Sequence, residues 1–217
     1  MNPPRPHHPH ALFAALALSI VTGTAAAATY TESIDGELSN DRLSPSLFVL
    51  DFSASGSVPG SNVLTGTLGR LAGTPPDRDY VTVRLPSGHV LASLRVGNQT
   101  TFGGGGAFIG FAAGSTMPVP ETATSATGLL GWKVYGAADL NTDILQAMSV
   151  PANGSTGFSA PLAAGDYTFW LQELAAGTFD YRFNFVVAPA TTVVPLPAAA
   201  WLFVAGMATL LAAGRRR

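Results

Sequence analysis

The chain has 217 residues, 47% of them hydrophobic but only 11% charged, with a formal charge of −2 and no cysteine. About a quarter charged is usual for a soluble domain, so the deficit points to export or membrane association rather than a cytosolic enzyme. The lack of cysteine excludes disulfides, thiolate metal sites and a thiol nucleophile, and nothing in the composition specifies a catalytic activity.

Residues 1–28 fall into three zones: a polar stretch with Arg5 and three histidines, an apolar run from Ala11 to Val21, and small residues from Thr22 to Ala28. That order reads as a secretory signal, with cleavage expected after Ala27 or Ala28. Eleven apolar residues reach about 16 Å as a helix, short of the roughly 30 Å hydrocarbon core, so the segment is a signal helix and not a span.

Residues 29–193 read as one secreted domain. It holds seven Lys and Arg against all 13 Asp and Glu, a net charge of −6. Nucleic acid is excluded as a partner, because phosphate binding needs clustered Lys and Arg. The periodicity is two. Phe179, Tyr181, Phe183, Phe185 and Val187 alternate with Asp180, Arg182, Asn184 and Val186. Val81, Val83 and Leu85 alternate with polar neighbours, and Val90, Ala92, Leu94 and Val96 repeat the pattern after Pro86-Ser87-Gly88. Tyr167, Phe169 and Leu171 form another such run. Further strands are predicted over Thr29–Ile34, Leu47–Phe52, Asn62–Leu68, Ala107–Phe111 and Leu129–Tyr135. One short helix is predicted over Asn141–Met148, capped by Asn141 or Thr142. About nine short strands separated by turn residues predict an all-β fold, an antiparallel jelly-roll-like sandwich.

The chemistry-bearing residues of this domain are few. Asp77 and Asp79, with Asp51 or Asp35, offer oxygen ligands of the kind Ca²⁺ takes; turn residues before a strand are the alternative reading. Glu121 and Glu173 are candidates for a hydrolytic carboxylate pair, with Glu173 expected on the solvent face. His89 is the one histidine beyond the signal, placed in a turn, and no G-x-S-x-G elbow surrounds any serine. Trp170 alternates out of phase with Tyr167, Phe169 and Leu171, which leaves it either a contact for glycan or protein or a residue packed under a loop.

Residues 194–217 form a third unit. Val194-Pro195-Leu196-Pro197 precedes an uncharged stretch from Ala198 to Gly214, and Arg215, Arg216 and Arg217 close the chain. The length is near the minimum for a transmembrane helix, and the terminal arginines favour the cytoplasmic side as a stop-transfer signal. The prolines hold extended backbone where that helix begins, the conformation a protease needs.

This order resembles the PEP-CTERM sorting tail, and Val194, Pro195, Leu196, Pro197 and Ala198 match its VPLPA-CTERM variant. The parent motif carries Glu where Leu196 stands. The resemblance implies recognition and cleavage by an exosortase, a membrane-embedded protease-transpeptidase, in a Gram-negative bacterium that makes exopolysaccharide. The stretches Asp77–Val96 and Gly165–Val187 resemble the opening and closing strands of bacterial pre-peptidase C-terminal-like domains, which are secreted β-sandwiches; that likeness implies fold and not activity. The sequence thus predicts a non-enzymatic surface or matrix protein, held briefly in the inner membrane and then sorted. A glycan-binding module of the matrix and a secreted glycoside hydrolase are the alternatives.

Overall fold

The computed structural model describes residues 27–52 and 60–190. The signal zones up to residue 26, the sorting motif Val194–Ala198 and the arginines Arg215–Arg217 lie outside the described residues. Among the described residues no helix is long and apolar enough to cross a membrane.

Eight strands form one mixed, open sheet. They are β1 (Thr29–Thr31), β2 (Ser46–Val49), β3 (Gly60–Arg70), β4 (Arg78–Val96), β5 (Ala107–Ala113), β6 (Gly131–Tyr135), β7 (Leu162–Gln172) and β8 (Gly177–Pro189). Two helices of four residues, α1 (Glu32–Asp35) and α2 (Leu145–Met148), interrupt them. The order across the sheet is β1-β3-β8-β4-β7-β5-β6, with β2 paired to β4. β1 runs parallel to β3 and β2 parallel to β4, while the other pairs are antiparallel.

The all-β expectation holds, with differences in detail that have local causes. The nine predicted strands become eight because the two runs around Pro86-Ser87-Gly88 are one strand, β4. No hairpin forms there. The register against β7 passes from Leu85↔Gly165 to Val90↔Ala163 through an irregularity, so the chain keeps its direction. Pro86 has no N–H for the ladder and Gly88 takes φ +74°, which turns a predicted reversal into a bulge. β4 therefore serves two neighbourhoods: on one edge its first half pairs with β2 and its second half with β8, while β7 follows the other edge from Arg78 to Leu91. A second register shift between Leu91 and Ser93 changes which parity faces inward, from Val81, Val83, Leu85 and Leu91 to Leu94 and Val96.

The predicted strand over Thr29–Ile34 stops at Thr31, where α1 begins. The predicted helix over Asn141–Met148 shrinks to Leu145–Met148. Asn141 sits at φ +60°, outside helical geometry, so neither it nor Thr142 caps the helix. Asp143 does that work instead, its Oδ1 accepting from the N–H of Leu145 at 3.0 Å and of Leu94 at 3.0 Å.

The main core joins residues from β2, β3, β4, β5, β7 and β8. Phe185 packs edge-on against Phe48 and Phe169, with ring centroids 6.1 Å and 5.5 Å apart. A second, smaller cluster of Tyr80, Ala112, Met117, Val119, Leu129 and Trp170 lies apart from the first. It falls on the residues alternate to the core face, and the chain around Met117–Leu129 covers it. The central strands are thus buried on both faces, and on the second face Thr82 and Thr168 pair their hydroxyls at 2.9 Å.

Replacing Phe185 with alanine removes a ring that bridges strands distant in sequence. Phe185→Ala is expected to cost about 3–5 kcal/mol in urea unfolding. Leu47→Ala, at a half-exposed position of β2, is expected to stay within about 0.5 kcal/mol.

Candidate metal centre

One end of the core is acidic. Asp79, near the start of β4, continues the inward row of Val81 and Val83 and is 0% exposed. Neither of its carboxylate oxygens has a hydrogen-bond partner. An isolated carboxylate so placed is costly, because burial strips its hydration without replacement.

The segment after β1 brings two more carboxylates to it. Asp35 Oδ2 accepts from the N–H of Thr31 at 2.7 Å, which folds Glu32–Asp35 into a single turn. Gly36 leaves that turn at φ +106°, where a side chain is strained. Glu32 then points inward. Its Oε2 accepts from Thr67 N–H at 2.7 Å and its Oε1 from Leu38 N–H at 3.2 Å. The chain past Glu37 is pinned to β4, since Tyr80 N–H donates to Ser39 O at 2.9 Å and Arg78 N–H to Asn40 Oδ1 at 2.8 Å. As a result, oxygens of Glu32, Glu37 and Asp79 all lie within 4.8 Å of one another.

Gly66 completes the cradle. It stands opposite Tyr181 in the β3–β8 register, and a Cβ there would collide with both the Glu32 carboxylate and the Tyr181 hydroxyl. The Tyr181 hydroxyl is itself buried and has no aligned hydrogen bond. The same holds for Tyr135.

The electrostatics follow from this crowding. Burial, then the Glu32 charge, push the Asp79 carboxyl up to about 9, and the nearby Tyr181 hydroxyl offsets little of the rise. Burial likewise raises Glu32 against the pull of the Thr67 and Leu38 N–H groups, and raises Glu37 with help from Asp77. The Tyr181 phenol is held far above its ordinary range by burial and then by Asp79. Without a cation, Asp79 therefore holds a proton at neutral pH. Three carboxylate oxygens at this spacing can share a hard cation at the roughly 2.3–2.6 Å that calcium takes, and a cation would displace that proton.

Above Glu32 and Glu37 opens a cleft of about 570 Å³. Thr31, Thr65, Gln99 and Arg182 are among its walls.

Of the sequence-predicted ligands, only Asp79 joins the cluster. Asp77 turns to Asn40, whose amide reaches its Oδ1 at 3.4 Å, and Arg78 between them points to Gln172 at 2.8 Å. Asp35 is occupied with Thr31, and Asp51 Oδ1 accepts from Phe52 N–H at 2.7 Å. Glu32, Glu37, Gly66 and Tyr181 were not legible as site residues. Their one signal is the pair of glutamates five apart just after the expected cleavage point.

Trp170 and Glu173 lie elsewhere, and the solvent-face placement of Glu173 is corrected. Trp170 is 7% exposed, stacked on Tyr80 at 6.0 Å and edge-on to Phe108 at 4.9 Å, so of its two readings it takes the packed one, under the covering chain. Glu173 is 4% exposed rather than on the solvent face, because it accepts from Ala175 N–H at 2.9 Å and Gly103 N–H at 3.4 Å. Its charge acts on Tyr135 in the main core, whereas that of exposed Glu121 acts on Tyr80 in the second cluster. The two glutamates do not face a common cleft. His89 rests against Phe52, ring centroids 3.7 Å apart, with Nδ1 2.9 Å from Ser87 O.

Comparison with protein-family models, with curated proteins and with solved structures finds no match to this chain.

A raised carboxyl stabilises the fold below its ordinary range near 4 and loses that contribution as pH climbs toward 9. In chelator, the melting temperature is expected to fall from pH 5 to pH 9 as Asp79 is forced to ionise. Asp79→Asn keeps the shape without the charge and is expected to flatten that slope. An unchanged slope in the variant would place the pH dependence elsewhere.

Proposed function

We propose that this chain is an exported, non-enzymatic surface or matrix protein whose domain over 29–193 is completed by a divalent cation, calcium by preference. The observation that carries the cation is Asp79, fully buried with both oxygens unpartnered beside the Glu32 and Glu37 carboxylates. All-oxygen ligation suits a hard cation, and a site of this modest charge suits the high calcium levels outside a cell.

The sorting part of the proposal rests on the sequence. The signal over 1–28 and the tail over 194–217 carry the resemblance to exosortase substrates. In this reading the chain is exported, anchored briefly in the inner membrane by its tail, cleaved at Val194–Ala198, and delivered to the surface or the exopolysaccharide matrix. The domain boundaries are consistent with it. Ala28 N–H donates to Asn62 Oδ1 at 2.9 Å and Ala28 O accepts from Val63 N–H at 2.9 Å, so Ala28 belongs to the folded domain. That favours signal cleavage after Ala27 over cleavage after Ala28. We further read the sheet as closing on itself into the jelly-roll-like sandwich. The Tyr135–Phe183 ring contact supports this, because it joins β6 and β8, strands far apart in the sheet order.

Calcium at tenfold its dissociation constant is expected to stabilise the mature protein by about 1.4 kcal/mol. That raises its melting temperature by a few degrees. Asp79→Asn is expected to abolish the rise. A rise that survives in Asp79→Asn and in Glu37→Gln would refute the site. Separately, the mature protein is expected to begin at Ala28 by intact mass, and one beginning well inside β1 would contradict the boundary.

A further inference from the structure

The proposed cation is enclosed on one side only. Asp79 and the Tyr181 hydroxyl approach from within the core, both buried and both without hydrogen-bond partners. Glu37 is exposed, and Glu32 and Glu37 line the cleft of about 570 Å³. Calcium takes six to eight oxygens. Three carboxylates and one phenol leave part of that shell to come from the cleft side.

The cleft is the right kind of space for a ligand oxygen. Its volume falls within the roughly 300–1,000 Å³ of small-molecule sites. Its walls present hydroxyls from Thr31 and Thr65 and the amide of Gln99. Neither the Gln99 amide nor the Arg182 guanidinium has a hydrogen-bond partner through its side chain among the described residues. Charge decides the class of ligand. Three carboxylates and a divalent cation sum to −1, Asp180 and Arg182 on the wall cancel, and the domain carries −6 overall. An anionic sugar is repelled by that field, whereas a neutral pair of adjacent hydroxyls can replace two waters on the cation with no charge penalty.

We propose that the Glu32–Glu37–Asp79 cation is a coordination point for the vicinal diol of a neutral sugar, seated in the cleft between β1, β3 and β8. This rests on the cation reading and extends it to the matrix polysaccharide as ligand. The cation-binding face is distinct from the buried Trp170 cluster.

The test uses the mature protein on immobilised mannan, which offers neutral vicinal diols. Retention is expected with 2 mM calcium (about twice a millimolar extracellular level), at least tenfold weaker in chelator, and lost on mannan whose vicinal diols have been cleaved by periodate. Gln99→Trp fills the cleft from an exposed loop and leaves every cation ligand in the sequence. It is expected to lose retention at least tenfold while keeping the calcium-induced rise in melting temperature. Calcium stabilisation with no retention on mannan, or with retention on polygalacturonate alone, overturns the diol proposal and leaves the cation intact. Absence of calcium stabilisation in the unsubstituted protein overturns the cation reading itself. Retention unchanged by periodate or by Gln99→Trp also overturns the proposal, because the contact then lies outside the cleft.

Discussion

A carboxylate in a hydrophobic core must give up its charge or find a counter-charge, and Asp79 is placed where it must do one or the other. It sits in the inward row of β4 with Val81 and Val83, where the Tyr181 hydroxyl is the one donor beside it and makes no aligned hydrogen bond to it. Replacing it with an apolar residue would be the stabilising choice for a core that served packing alone. The surrounding residues instead gather more negative groups. Glu32 and Glu37 are brought to it by the turn at α1, and Gly66 gives up its side chain so that Glu32 and Tyr181 fit. Each of these features adds cost without a cation and loses it with one.

The fold supplies the frame for that site through β4. Its first half carries Asp79 and pairs with β7, and its second half pairs with β8, the strand that carries Tyr181. The amino-terminal segment is tied in from the other side. Asn62, buried on β3, accepts from the N–H of Ala28 and of Asp51 and donates to Asp51 O. A site assembled from the first dozen residues of the mature domain and from strands much later in sequence closes only when the whole sheet is formed. A cation bound there favours the folded state alone.

The strands were legible because alternation is strong where one face meets the core, as in Tyr181 to Val187 and Val81 to Leu85. Their joining was not. Pro86-Ser87-Gly88 has the composition of a hairpin, and only the pairing with β7 and β8 makes it a bulge. Alternation places Trp170 on the face opposite Phe169 and Leu171 and leaves open whether that face is bare or covered. Period two separates the faces of a strand, and it carries no information about the chain around Met117–Leu129 that covers the second face. Asp79 was visible as an oxygen ligand, yet its partners were not. Glu32 and Glu37 lie in a segment whose turn is set by Asp35 and Gly36, and their approach to β4 depends on contacts between residues some forty positions apart.

The central claim is that a cation replaces the proton on Asp79. Calorimetric titration of the mature protein with calcium at pH 7.5, repeated in buffers of different ionisation enthalpy, measures that exchange directly. The account predicts saturable binding of one calcium with release of about one proton, and loss of that release in Asp79→Asn. Calcium binding with no proton release, or no binding at millimolar calcium, would contradict it.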